Sequence, residues 1–521
     1  MNAKAQNFFT HKATMFLVSF FAALAPVFFW ACRSNSFIFI DKILFIGFCQ
    51  VIFWLMVANA IFATVLAALR WRHSAWSMQA PKWGAVSSVV CTCLTVVFAI
   101  VNIALLIGLG EEAADMAFIS AADMLPFLLA YLIAALLAFF FPAVSDKKLR
   151  VVIAVLIIAI AVFGALFAIY PPVHYKFMSD PMVLDNGSGY SVVFATSAEG
   201  NGYVEYEYEG KTYKVYDEQD GRIKGSSTIH SVQIPYEHLD NNTYRVGSMR
   251  VFEEYAYGGR NGRTIESEEY EFAPCTGEDL SLLCISDWHT RTKTAKKVIS
   301  HLGEYQGVIL LGDAASCMQF EEQASEFLVT FGGDITGGEI PVIFARGNHE
   351  TRGEYATELS DALGMDSFYY ETTHFGDYRF IVLDSAEDKA DDHVEYGGSA
   401  DYTAYRTRMT EWMESLEASG EKTLIVCHSP EISREKDLAE RAFVKMEELG
   451  APLVLAGHYH YCALKEKEWP LLTYIDGGHG GGDFTASLVT LSGDGIGLKA
   501  CNKSGEEVLN KLVGWDGTVL K

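Results

Sequence analysis

Gly347-Asn348-His349-Glu350 follows an apolar run, Pro341 to Ala345, that reads as a buried strand. An amide and an imidazole side by side on a strand-to-loop turn can do two jobs: the Asn oxygen suits a hard metal ion, and the His can face a substrate. Four further clusters flank this one in order, each after its own short apolar run. They are Asp287-Trp288-His289 after Leu282 to Ile285, Gly312-Asp313 after Val308 to Leu311, His428 after Leu424 to Cys427, and Gly457-His458-Tyr459-His460 after Leu453 to Ala456. Residues two apart on an extended segment point the same way. Asp287 with His289, and His458 with His460, are therefore expected to aim in pairs. Three oxygen donors (Asp287, Asp313, Asn348) and four imidazoles (His289, His428, His458, His460) are too many for one first-row ion and suit two ions sharing a carboxylate.

The series D-x-H, G-D, G-N-H-E, H, G-H-x-H resembles the calcineurin-like metallophosphoesterase superfamily over roughly residues 280 to 485. That resemblance implies an α/β four-layer sandwich with a dinuclear site at the strand C-termini. By motif, Asp287, His289 and His460 would hold one metal and Asn348, His428 and His458 the other. Asp313 would bridge them and His349 would face the scissile ester. The implied cofactors are two divalent or mixed-valence transition-metal ions, Mn, Fe or Zn. Such a pair lowers the pKa of a shared water and neutralises phosphoryl oxygens as charge develops. His349 is the candidate for protonating the leaving oxygen, because an imidazole titrates close to working pH. Arg352 and Asn348 are candidate phosphate contacts, Arg352 through its guanidinium fork, with a surface salt bridge as its equally weighted alternative.

The chain has 521 residues and a formal net charge of −25, unevenly spread. Six acids and ten bases fall in residues 1–170, which leaves 59 acids against 30 bases, a net of −29, in the rest. A nearly uncharged front and an acidic back predict a five-helix transmembrane region over 1–170. A span needs about 20 apolar residues, and five runs qualify: Ala13 to Cys32, Ile43 to Leu69, Ala85 to Leu109, Phe118 to Val144 and Val151 to Tyr170. Lys and Arg cluster on one side of that topology, which places the remainder outside the cytoplasm and makes the protein a multi-pass one of the cell membrane. Asn59, Asn102 and Asp123 read as packing or interfacial residues rather than a polar path across the bilayer.

Pro171-Pro172 ends the fifth run, and 171–185 reads as a linker. Alternating apolar residues, as in Val204-Glu205-Tyr206-Glu207-Tyr208-Glu209, then predict a β-sandwich over 186–276. Leu239-Asp240-Asn241-Asn242-Thr243-Tyr244 resembles the tyrosine-bearing loop of fibronectin type III-like sandwiches, and a sandwich ahead of such a domain is similar to the layout of purple acid phosphatases. The likeness stops at the metals. Ala314-Ala315-Ser316 follows Gly312-Asp313 where purple enzymes have a Tyr, and His289 is present where they lack a His. Residues 277–521 form the expected catalytic domain. Within it, acidic, Gly-bearing residues after Ile381 to Ser385 resemble the family's variable substrate-side insert, and His479 reads as a rim residue.

These features predict a membrane-anchored phosphomonoesterase acting on a small-molecule or lipid-linked phosphate. A phosphodiesterase or pyrophosphatase acting on lipid-linked or nucleotide substrates is the alternative, and a non-enzymatic receptor or scaffold is an alternative of another class. The acidic balance after residue 170 disfavours nucleic acid as a partner. Oligomeric state is not legible.

Overall fold

The computed structural model describes residues 141–169, 175–255, 258–365, 369–478 and 484–521, with isolated residues between 86 and 140. The chain divides into two compact units, Met1–Pro172 and Val173–Lys521.

In the first unit the helix Lys147–Ile169 starts where Asp146 accepts the backbone N–H of Lys148 at 2.7 Å. Its side chains are described as far as Ala159. The first three runs assigned above as spans lie outside the described residues apart from Val86, as does most of the fourth. Among the described residues no helix is long and apolar enough to cross a membrane. The five-helix transmembrane region is corrected accordingly.

The second unit is built on two mixed sheets whose parallel strands are short, mostly apolar and almost wholly buried. In the first, Leu280–Ile285, Gly307–Leu310 and Pro341–Phe344 run parallel with Ile285 level with Leu310 and Leu310 level with Phe344. In the second, Tyr378–Val382, Lys422–Val426, Val454–Ala456 and Thr473–Ile475 are likewise parallel. Burial on both faces explains why these strands read as continuous apolar runs. Leu282, Cys284, Ile309 and Ile343 of one sheet share a core with Phe380, Leu424, Val426 and Leu455 of the other. Outside the second sheet, the helices Tyr402–Ser415 and Lys436–Glu448 bury Met409, Met413, Ala442 and Met446 against Ile425 and Val454. Because neighbouring strands end level, the loops after them emerge together at one edge.

The β-rich stretch does not stand apart as a sandwich. Met182–Asp185 pairs in parallel with Pro341–Phe344 of the catalytic sheet and antiparallel with Tyr190–Tyr208. Tyr190–Tyr208 in turn pairs with Ser227–Ile234 and Thr243–Tyr255, so among the described residues a single hydrogen-bonded sheet of 13 strands runs from this stretch into the catalytic core. The expected fibronectin type III-like module, a spacer with its own two sheets, is corrected to an extension of that sheet. Tyr244 illustrates the difference. Its buried hydroxyl reaches forward to donate to the Gly338 carbonyl at 2.7 Å, three residues before a catalytic strand, rather than back to its own loop. The Glu321 carboxylate likewise accepts the backbone N–H groups of Thr228 and Ile229, at 2.8 and 3.1 Å.

Tyr244→Phe leaves the buried Gly338 carbonyl without its partner and is expected to lower stability by about 1–3 kcal/mol. Urea unfolding of the full chain checks this. A midpoint equal to the parent's would mean that the bond does not anchor the β-rich stretch.

Candidate metal centre

The candidate ligands sit just past the strand ends, on loops rather than on the strands themselves. Asp287, His289, Asp313, His458 and His460 have φ of 52°, 37°, 58°, 72° and 56°, the left-handed region that non-glycine residues rarely occupy. The pairs Asp287/His289 and His458/His460 therefore converge through strained turns, not through the alternation of an extended strand. Each such residue costs on the order of 1–3 kcal/mol and persists only where its surroundings over-determine it. Here they do. Trp288, between two ligands, is fully buried, donates its Nε1–H to the Phe327 carbonyl at 2.9 Å and packs on Phe331. The Asp287, His289 and Thr290 amides donate to the Gly312, Asp313 and Ala314 carbonyls at 3.0, 3.0 and 2.7 Å, which laces the first loop to the second. The His458 amide donates to Asp287 Oδ2 at 2.8 Å, tying the last loop to the first.

The second and third loops touch through glycine. A Cβ at Gly312 would lie 2.3 Å from the Gly347 nitrogen, and one at Gly347 would lie 2.2 Å from Asp313 Oδ1. Glu350 closes this junction from beneath. Its fully buried carboxylate accepts the N–H groups of Asp313, Ala314 and Gly347 at 2.8, 2.6 and 2.9 Å. Burial, reinforced by the neighbouring Asp313, raises its carboxyl to about 7. Nothing in the spacing of the motifs marks Glu350 for such bracing.

All seven proposed ligands come together. Asp287, His289, Asp313 and His460 each offer one ligand atom, and these four atoms lie within 4.8 Å of one another. The other set meets at the Asn348 oxygen, 3.1 Å from His428 Nε2 and 3.1 Å from His458 Nδ1. Asp313 Oδ2 faces both sets, 3.6 Å from His289 Nε2 and 3.2 Å from His428 Nε2. Asp287 Oδ1 is buried, 3.1 Å from His460 Nε2, yet has no hydrogen-bond partner among the described residues. A buried carboxylate oxygen without a donor is costly unless a cation faces it, so the donor set fits metal ions. The electrostatics agree. Burial would push the Asp287 and Asp313 carboxyls up, but His428 above all holds both below the usual carboxylate range. Burial would likewise lower His428, and Asp313 and Asp287 instead raise it. Burial pushes the His289 imidazole down to about 3.

His349 stands at the side of this cluster, its Nε2 3.8 Å from Asp313 Oδ2 and its Nδ1 2.8 Å from the Ser316 carbonyl. Only an N–H can bond a carbonyl, so Nδ1 carries the proton and Nε2 faces the site. Arg352 is a partner of Glu387 rather than a surface charge, and its Nη1 lies 3.1 Å from His349 Nε2. Glu387 has no signature in the sequence, since its importance comes from a partner 35 residues away. His479 lies outside the described residues.

Replacing Glu350 by Ala strands three buried N–H donors at 1–3 kcal/mol apiece. We expect a stability loss of several kcal/mol and weaker metal retention, read by denaturant titration and by elemental analysis of the purified protein. Parent-like values for both would remove Glu350 from the support of the site.

Residues 280–462 match the family described as calcineurin-like phosphoesterase. No curated protein matches the chain. Among solved structures, it is similar to a predicted phosphoesterase from Streptococcus pneumoniae, with 13% identity over 45% of this chain and 98% of that one and a TM-score of 0.23. A cold-active protein-tyrosine phosphatase from Shewanella shows 10% identity over 64% and 99% of the two chains with a TM-score of 0.24. The E. coli phosphoesterase Yfce shows 13% identity over 46% and 97% with a TM-score of 0.20. Scores this low leave the assignment resting on the family match and the ligand geometry. Residues 280–462 therefore match a calcineurin-like phosphoesterase domain, and four of their side chains form a possible metal-binding cluster.

Proposed function

We propose that the protein is a dinuclear-metal phosphatase that hydrolyses phosphate monoesters of small or lipid-linked molecules. The observation that carries this reading is the single carboxylate oxygen, Asp313 Oδ2, facing imidazoles of two ligand sets. In this reading Asp287, His289 and His460 hold one ion, Asn348, His428 and His458 hold the other, and Asp313 contributes to both. The ions, Mn, Fe or Zn, would supply Lewis-acid neutralisation of phosphoryl oxygens and a water made acidic enough to attack phosphorus near neutral pH.

The chain's own residues then divide the remaining work. Ser316 fixes the His349 tautomer through its carbonyl, so that Nε2 points at the reacting group. Arg352 offers Nη1 beside that nitrogen. When a phosphoryl oxygen takes the Arg352 N–H, Nε2 is released from it and can bind a proton from solvent, and the imidazolium so formed hands that proton to the leaving oxygen as a general acid. A monoester carries more charge on its phosphoryl oxygens than a diester, and a guanidinium next to two cations suits the more charged group.

Two outcomes test the proposal. The purified protein should turn over an aryl phosphate at least tenfold better than the corresponding bis-aryl diester, lose both activities to a chelator and regain them with manganese. A diester preference would reverse the substrate assignment, and chelator-insensitive turnover would remove the metals from the account. His349→Ala should keep its metal but lose about 10²-fold or more in turnover of alkyl phosphates, whose leaving groups need a proton, and much less with aryl phosphates. Parent-like turnover of alkyl phosphates would end the acid role of His349.

A further inference from the structure

Beside the ligand cluster, two buried carboxylates from the segment 384–387 reach two arginines that bracket Gly347-Asn348-His349-Glu350. Asp384 pairs with Arg346 at 2.6 Å, and Glu387 pairs with Arg352. The second pair is bidentate: Glu387 Oε2 accepts from Arg352 Nε at 2.6 Å and Oε1 from Nη2 at 2.8 Å. Oε1 also receives the Asp388 amide at 3.0 Å and lies 3.5 Å from Asn348 Nδ2. The Glu387 side chain is wholly buried.

A fork held by two parallel bonds has its plane fixed. With Nε and Nη2 engaged, Arg352 presents Nη1 alone, and that atom lies 3.2 and 3.1 Å from the two ring nitrogens of His349. Glu387 is itself held in place. Its carbonyl accepts from Arg406 Nη1 at 3.0 Å, and the fully buried Arg406 is locked by a bidentate pair with Glu435 at 2.7 and 2.8 Å. Tyr405, next to Arg406, donates to Asp384 at 2.8 Å. The helix Tyr402–Ser415 thus fixes the segment that fixes Arg352. Stability alone is a poor reason for such a chain, because well-packed apolar residues replace a buried ion pair at little or no loss. Orientation is the better one.

We propose that Glu387 is a positioning residue for phosphoryl binding, orienting the Arg352 guanidinium and the Asn348 amide at the edge of the metal centre. This rests on Arg352 being the phosphate contact of the function proposed above.

The test uses the full-length protein loaded with manganese and reads inorganic phosphate binding by calorimetry, together with metal content and with kcat and KM on an aryl phosphate. Parent, E387Q, R352A and the double variant are compared. A charged hydrogen bond is worth about 1.5–3 kcal/mol, or roughly 10- to 100-fold. E387Q and R352A should each weaken phosphate binding at least tenfold with metal content unchanged, and the double variant should be no more than twofold weaker than R352A. Parent-like phosphate affinity in E387Q, losses that multiply in the double variant, or metal loss in E387Q overturns the proposal. If E387Q does not fold, E387D, which keeps the charge one methylene short, carries the same comparison. Phosphate binding is read without turnover. A parent that binds phosphate but cleaves no ester sinks the phosphatase reading alone, whereas a parent that binds none overturns both.

Discussion

Two carboxylates, Asp287 and Asp313, are buried together at the ends of adjacent parallel strands and must be compensated there. Like charges in a poorly solvated site repel, and each carries a desolvation cost that packing cannot repay. In the protein alone the compensation comes from His428 and its neighbours. In the loaded protein it falls to the metal ions those same groups would hold. Much of the local architecture exists to keep the two carboxylates close: a glycine contact between the second and third loops, the Glu350 brace beneath it, and ligand residues in left-handed backbone.

That strain is offset by the fold around it. Trp288 drives the loop between two candidate ligands into the core, and the loop after Gly307–Leu310 supplies the Gly312, Asp313 and Ala314 carbonyls that the first loop's amides need. The β-rich stretch adds to the same rigidity. Its parallel pairing with Pro341–Phe344 stiffens the strand that leads into Gly347-Asn348-His349-Glu350 from the side opposite Gly307–Leu310. What reads in sequence as a spacer is a buttress.

The candidate cluster was legible because each of its loops follows its own short apolar strand, a pattern set by burial on both sheet faces. The reason for convergence was not: strand alternation was expected for Asp287 with His289, whereas positive φ at both residues does the work. Alternation correctly marked strands between Tyr190 and Glu271 but could not reveal their partners. Met182–Asp185 is four residues long, and nothing in four apolar-leaning letters announces a parallel pairing with a strand more than 150 residues later. Glu387 and Arg406 were invisible for a related reason, since a buried ion pair leaves no period in the sequence. The uncharged front of the chain suggested membrane spans on hydropathy alone, and no described helix meets the length and apolarity that a span requires.

The central claim is that seven side chains from five loops enclose two cations with Asp313 between them. Anomalous diffraction at the manganese edge from crystals grown with manganese tests it most directly. The account predicts two peaks per chain, one among Asp287, His289 and His460, the other among Asn348, His428 and His458, with the Asp313 carboxylate between them. A single peak, or none within reach of Asp313, would contradict it.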